Sequence, residues 1–238
     1  MRVNQCRYIG NELDLFAGAR RWKAYWSSKV REYITGDVLE VGAGFGANIP
    51  YLLNSSVRSL TLIEPDGDLH RRLCDECRKN HPGSLLSPIH GTTDSIKNSK
   101  QFDSILYVDV LEHIESDREE LELASSLLKP GGYLVVVVPA HQFLYSNFDS
   151  SIGHYRRYSR ASLAQLIPGK CKLVALKSLD SAGLLASLAN VVLLKQSVPS
   201  ESQIRVWDKY FVGASRIIDP ILRFKFGKSI VAIWQKIK

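Results

Sequence analysis

The run YLVVVVP at 133–139 sets four consecutive valines between a leucine and a proline, so it has no polar face. β-Branched side chains suit a pleated surface, and a strand apolar on both sides must be covered on both sides, as in a parallel sheet between helix layers. Other segments repeat the pattern and alternate with helical ones. DVLEVGAG (37–44) and SLTLIEPD (59–66) read as short buried strands, and FDSILYVDVLEHI (102–114) begins as a third that runs out at Asp109. Between them ANIPYLLNS reads as the start of a helix, Asp68–Asn80 as a helix, and Asp117–Leu128 as another with leucines and alanine at helical spacing. KPGG breaks the chain ahead of the valine run. CKLVALKSLD (171–180) and SIVAIWQKI (229–237) look like two more strands. This alternation predicts an α/β fold with a doubly wound, mostly parallel sheet.

At 238 residues with 45% hydrophobic and 23% charged content, the chain has the mixture of one globular domain. We divide it into a helical cap over 1–35, a core over 36–180, a helical lid over 181–227 and a last strand over 228–238. The polar stretch Gln196–Gln203 is the longest candidate linker. The longest nearly apolar run, Gly183–Leu194, is interrupted by Ser187 and Asn190 and falls short of the ~20 residues that span a bilayer. With no signal-type apolar core in MRVNQCRYIGNELD, a cytoplasmic location is expected. Cys74 and Cys77 form a CxxC without a second pair, so one core-facing and one surface cysteine on a helix is expected rather than a metal or redox site. In GNELDLFAGARRWKAYWSSKVREYI, the aromatics Phe16, Trp22, Tyr25 and Trp26 are expected to pack in the core. The charge of +7 is uneven: 41–150 hold 9 Lys/Arg against 15 Asp/Glu, and 151–238 hold 15 against 4. A basic third of this kind suits an anionic membrane surface contacted peripherally, a phosphorylated substrate or nucleic acid, or is a solvated face.

Glu40-x-Gly42-x-Gly44-x-Gly46 follows a predicted strand and precedes a predicted helix. Glycines there let the backbone turn tightly and lie against a ligand. Glu64 ends the next strand, 24 residues after Glu40, where a carboxylate can accept both hydroxyl hydrogens of a ribose.

The GxGxG spacing, unlike the dinucleotide GxGxxG, resembles the class I S-adenosylmethionine-dependent methyltransferases. VLEVGAGFG looks like that family's first motif, IEPD its second, FDSILYVDVLEHI its fourth, and LLKPGGYLVVVVP the turn and strand that follow, so the likeness covers about 36–140. It implies a seven-stranded Rossmann-like sheet and S-adenosylmethionine as cofactor. It further implies that Gly42, Gly44 and the neighbouring backbone, with Glu40 and Gly46, hold the methionine end. Glu64 and Pro65 would lie at the ribose, Thr92 and Thr93 with Asp94 near adenine, and Asp109 and Val110 at the mouth of the site.

PAHQFLYSNFDSSIGHYRRYSRASL (139–163) resembles a narrower set of bacterial methyltransferases, with the pattern H-x-x-L-Y-S-x-x-D and G-H-Y-R-R-Y, often linked with glycosyltransferases and cell-surface or secondary-metabolite pathways. A hydroxyl acceptor gains from losing its proton as it attacks, so His141, Asp149 and His154 are the candidate catalytic groups, His154 first. Tyr155, Arg156, Arg157 and Tyr158 are the candidates to hold an anionic acceptor. Asp109, Glu112 and His113 have the spacing of a divalent-metal cluster in some relatives, but are expected to serve the cofactor and the helix start, with no metal. The expected function is methylation of a small molecule, most readily at oxygen, in small-molecule biosynthesis; the acceptor is a metabolite, a glycan or a lipid-linked compound. The alternatives are an RNA-modifying or nucleic-acid-binding protein, though no separate module or NPPY-like tetrapeptide is visible, and a non-catalytic cofactor-binding scaffold.

Overall fold

The computed structural model of the protein describes residues 8, 10, 12–81, 83, 85–97, 101–189 and 200–237. The valine run lies in β5 (Leu128–Pro139), and its side chains divide between two cores. Val135 and Val137 pack with Trp22, Tyr25 and Trp26 on one face of the sheet, while Leu134, Val136 and Val138 pack with Tyr107, Leu121 and Trp234 on the other. Alternate residues therefore meet different helix layers, which is why no polar residue is tolerated there.

Around β5 the sheet holds β1 (Gly36–Val41), β2 (Val57–Glu64), β3 (Leu86–His90), β4 (Phe102–Val108), β6 (Cys171–Leu179) and β7 (Ser229–Lys236). Their spatial order is β3-β2-β1-β4-β5-β7-β6. The first five are parallel, and β7 runs antiparallel between β5 and β6. The expected doubly wound, mostly parallel seven-stranded sheet is thus observed. The order reverses between β1 and β4, and the crevice at their carboxyl ends is where open α/β sheets bind ligands.

Two segments differ from their sequence reading. KPGG does not end an element. It forms a bulge within β5, where the pairing jumps from Phe102–Leu128 to Ser104–Tyr133 and a Cβ on Gly132 would lie 2.9 Å from the Asp103 carbonyl. LSPIH at 86–90, with no long apolar run, is the edge strand β3, the position where a proline such as Pro88 is tolerated.

The cap consists of α1 (Glu12–Ala17) and α2 (Arg20–Val30), broken at Gly18–Ala19. Trp22, Tyr25 and Trp26 are buried, as expected. α3 (Ile49–Leu52) follows the glycine loop; α4 (Gly67–Asn80), capped by the Asp66 carboxylate, follows β2; and α5 (Asp117–Leu127) follows β4. Cys77 faces inward on α4 and Cys74 is half-buried, both free, and Cys6 lies outside the described residues. After β5 come two short helices, α6 (Asn147–Ser151) and α7 (Arg160–Ala164).

The chain between β6 and β7 forms α8 (Ser181–Ala189), α9 (Glu201–Val206), a π-helical turn (Trp207–Phe211) and α10 (Val212–Ile221). Gln203 of the candidate linker sits in α9, and Gln196 lies outside the described residues. Buried aspartates tie these helices down. Asp208 accepts from the Arg21 and Trp22 backbone amides, capping α2, whose own preceding residue is Ala19. Asp219 accepts from the amides of Asp180 and Ser181 and from the hydroxyls of Ser181 and Tyr25. Asp180 takes Trp207 Nε1, Ser215 Oγ and the Gly183 amide. None of the three stands out in the sequence.

Candidate active site

At the carboxyl end of β1 the amides of Gly42 and Ala43 both donate to the Ile63 carbonyl of β2. Gly42 has φ +70°, and a Cβ there would lie 2.6 Å from Val110, so the glycine lets the loops after β1 and β4 meet. Gly44, at φ +56°, faces Leu13 of α1, so the cap reaches over the loop. Glu64 organises this turn: Oε2 accepts from the Gly44 amide at 2.8 Å and Oε1 from the Asp66 amide at 2.9 Å. Each carboxylate oxygen retains a lone pair for a hydroxyl donor. Burial raises the Glu64 pKa, opposed by those two amides.

Glu40 is buried, with Oε1 held by Asn48 Nδ2 at 2.8 Å and Oε2 without a partner. Burial and the charge of Glu64 push its carboxyl up to about 7, against Asn48 and Lys23. Lys23 of α2, not singled out in the sequence, is buried with Nζ donating to the Phe16 carbonyl, in the electrostatic field of Asp109, Asp208 and Glu40. Its only signal was a lone lysine among the aromatics of that helix. On the far side, Thr93 is buried against the Tyr107 hydroxyl at 3.3 Å, Thr92 is half-buried, Asp94 pairs with Lys97, and the Pro65 carbonyl accepts from His90 Nε2 at 3.0 Å.

Beyond β4, Asp109 adopts φ +53°, sparsely populated for a non-glycine residue. Its side chain is open to solvent, and the desolvation by the protein around it raises its carboxyl pKa, opposed by His154, Lys23 and Lys228. Next to it the loop through α6 brings Glu112, His113 and His154 together, with potential ligand atoms within 4.8 Å of one another. His154 Nδ1 lies 2.9 Å from Asp149 Oδ1 and its Nε2 3.8 Å from Glu112 Oε1. With Asp149 an acceptor, the network assigns the proton to Nδ1 and leaves the Nε2 lone pair on the Glu112 side. Asp149 is fully buried and also takes Arg157 Nε, Arg157 Nη2, and the amide and hydroxyl of Ser146. Burial alone would raise its carboxyl, but His154 and Arg157 outweigh it and hold the group well below the usual carboxylate range. Burial depresses His113 to about 4, with the neighbouring His154 acting in the same direction. Glu112, buried and facing Asp109, is raised well above the carboxylate range, and its Oε2 has no partner.

The other acceptor-side residues have partners within the fold. His141, at φ +68°, donates from Nε2 to the Gly227 carbonyl at 3.0 Å. Arg156 pairs with Asp117 at 2.8 Å and donates to the Glu115 carbonyl. Tyr158 is buried with its hydroxyl on Asp117, and Tyr155 is exposed, its amide donating to the Glu112 carbonyl. Asp149, His154 and Arg157 are thus joined in one network, while His141 makes its bond at the end of the β6–β7 insertion.

A glycine turn braced by an acid, at the switch point of a sheet ordered 3-2-1-4-5-7-6, is the arrangement of the nucleotide-cofactor-binding α/β proteins. Residues 16–182 match the family model described as a methyltransferase domain, and the chain belongs to this family of S-adenosylmethionine-dependent methyltransferases. Solved structures share the fold at low identity. N-methyltransferase NodS from Bradyrhizobium japonicum is 15% identical with a TM-score of 0.58, covering 92% of this chain and 97% of that one. Coclaurine N-methyltransferase, bound to N-methylheliamine and SAH, is 12% identical with a TM-score of 0.61, covering 92% and 72%. The [4+2]-cyclase SpnF is 15% identical with a TM-score of 0.63, covering 96% and 95%. Among the described residues no helix is long and apolar enough to cross a membrane.

Proposed function

We propose that this methyltransferase acts in the cytoplasm on the oxygen of a small-molecule acceptor, a metabolite, glycan or lipid-linked compound, with His154 as general base. The observation carrying this reading is the Asp149–His154 pair, which holds Nδ1 as the donor and leaves Nε2 as the acceptor atom of an imidazole within electrostatic reach of Asp109. The glycine turn fits the cofactor, since Gly42 and Gly44 hold the left-handed backbone of a tight turn and each Glu64 oxygen has a spare lone pair beside it. Bound S-adenosylmethionine supplies a methyl group activated on a sulfonium. The protein's part is to align acceptor and methyl for in-line attack and to take the hydroxyl proton at His154 Nε2 as the oxygen attacks. Asp149 keeps the imidazole in that tautomer and favours the imidazolium that results; its bonds to Arg157 and Ser146 make it a positioning residue. Arg156 and Tyr158, both bonded to Asp117, hold the loop that carries His154. A nucleic acid is the less favoured acceptor, because the three guanidiniums of the acceptor loop, Arg156, Arg157 and Arg160, have internal partners.

Label transfer from S-adenosylmethionine to fractions of a host extract identifies the acceptor. With it in hand, His154→Ala lowers turnover about 10²–10⁴-fold while leaving cofactor affinity near wild type. A variant that keeps its turnover per folded molecule overturns the base role.

A second reading is favoured by the orphaned Glu112 Oε2 beside His113 and His154. A divalent ion held by these three would orient the acceptor and polarise its oxygen, with Asp149 bracing His154 as a carboxylate braces a metal-bound imidazole. Dialysis against a chelator separates the two: activity survives it under the general-base reading, and loss restored by an added ion establishes the metal.

A further inference from the structure

The helical insertion before β7 presents apolar side chains on two sides. Ile204, Asp208, Val212, Ser215 and Asp219, spaced at four, four, three and four, face the protein and are buried. Two positions on from Ile204, Asp208, Ser215 and Asp219 stand the outward residues Val206, Tyr210, Ile217 and Ile221. Tyr210 is 60% exposed, Ile217 70% and Ile221 75%, and Leu185 of the neighbouring α8 is 67% exposed. A helix facing only water carries polar residues on that side, so this stripe is unusual for a solvated face.

Charge decides what covers it. Lys209, Arg216, Arg223 and Lys225 flank the stripe and are exposed, with the Lys209 ammonium over the Tyr210 ring. The nearby acids do not offset them at the surface: Asp208 and Asp219 are buried under the insertion, and Glu201 pairs with Arg205. An outward row of isoleucine and tyrosine bordered by lysine and arginine is the pattern of a helix lying in a lipid interface, its side chains entering the acyl boundary while cations meet headgroup phosphates. A second copy of the chain would bring the same cations against one another.

We propose that the outward face of α9 and α10 docks on an anionic phospholipid surface. The insertion that carries this face is tied to the acceptor loop at its far end, by the His141–Gly227 hydrogen bond. Resting on the methyl-transfer reading, docking assigns the acceptor to the lipid-linked class, presented at the bilayer rather than in bulk water.

The test is co-sedimentation of the full chain with vesicles of phosphatidylcholine alone and of phosphatidylcholine mixed with phosphatidylglycerol, at low and physiological salt. The protein partitions onto the mixed vesicles and weakly onto the neutral ones, and salt reduces the bound fraction. Ile217→Asp with Ile221→Asp, and separately Lys209→Glu with Arg216→Glu, each lower partitioning at least about tenfold. Both double variants retain wild-type thermal stability and S-adenosylhomocysteine affinity, because these side chains point away from the core and the glycine turn. Equal partitioning onto the two vesicle types, or unaltered binding by both variants, overturns the proposal. So does a wild-type dimer, in the absence of lipid, that the isoleucine variant dissociates. Vesicle binding without methyl transfer to any acceptor leaves docking standing and removes the functional reading; methyl transfer without vesicle binding does the reverse.

Discussion

At Glu40 the needs of the glycine turn conflict with the cost of burying a carboxylate. One oxygen is held by Asn48 and the other has no partner, so the group keeps its proton up to about 7. The unfolded chain releases that proton near 4.3, so folding takes up a proton between the two values and stability falls as pH rises across that window. Ionising the folded site costs at most about 4 kcal/mol above pH 7. Glu40→Gln reproduces the neutral carboxyl and keeps the bond from Asn48. Thermal melts of the two proteins therefore nearly coincide at pH 4, and the variant is the more stable at pH 8. Equal melting at both pH values would show that Glu40 ionises freely in the fold. The sequence places Glu40 before the glycines, but not its orphaned oxygen, which depends on Asn48, Glu64 and Lys23 converging from three other elements.

The insertion between β6 and β7 shows the same division at the scale of elements. Its strands and general helical character follow from local pattern, whereas its anchoring depends on carboxylates with partners far along the chain. Asp219 serves Tyr25 of α2 and the start of α8, 194 and 38–39 residues away. Asp219→Ala leaves several buried donors unmet and costs about 3–4 kcal/mol. The melting temperature falls by about 6–16 °C, and limited proteolysis cuts first within 181–227. Proteolysis no faster than wild type would mean that α8 and α10 hold by apolar contact alone. The candidates to hold an anionic acceptor, Tyr155, Arg156, Arg157 and Tyr158, include two arginines that pair with Asp117 and Asp149. Charge runs can be seen in a sequence; the pairing of each charge follows from how the loop returns to β5 through the Ala140–Tyr158 bridge.

Taken whole, the molecule closes its cofactor cleft with its own amino-terminal segment: Leu13 faces Gly44, Asp14 pairs with Arg72, and the Tyr8 amide donates to Asp66. A ligand bound to the folded state alone therefore stabilises the whole chain. S-adenosylhomocysteine at about 100 times its Kd raises the melting temperature by about 5–10 °C, and a nicotinamide dinucleotide leaves it unchanged. Glu64→Ala removes hydrogen bonds to the ligand worth about 1.5–3 kcal/mol and shrinks the shift, and an undiminished shift would move the ribose away from Glu64. The sheet, the glycine turn and the acid that ends β2 were determined by the sequence, because side-chain period, β-branching and the absence of a Cβ act over a few residues. The tertiary structure alone decided that LSPIH is the edge strand, that Asp208 caps a helix 186 residues earlier, and that Asp149, Arg157 and His154 share one network. Those outcomes turn on which polar groups are buried together, and burial is set by the packing of segments remote in the chain.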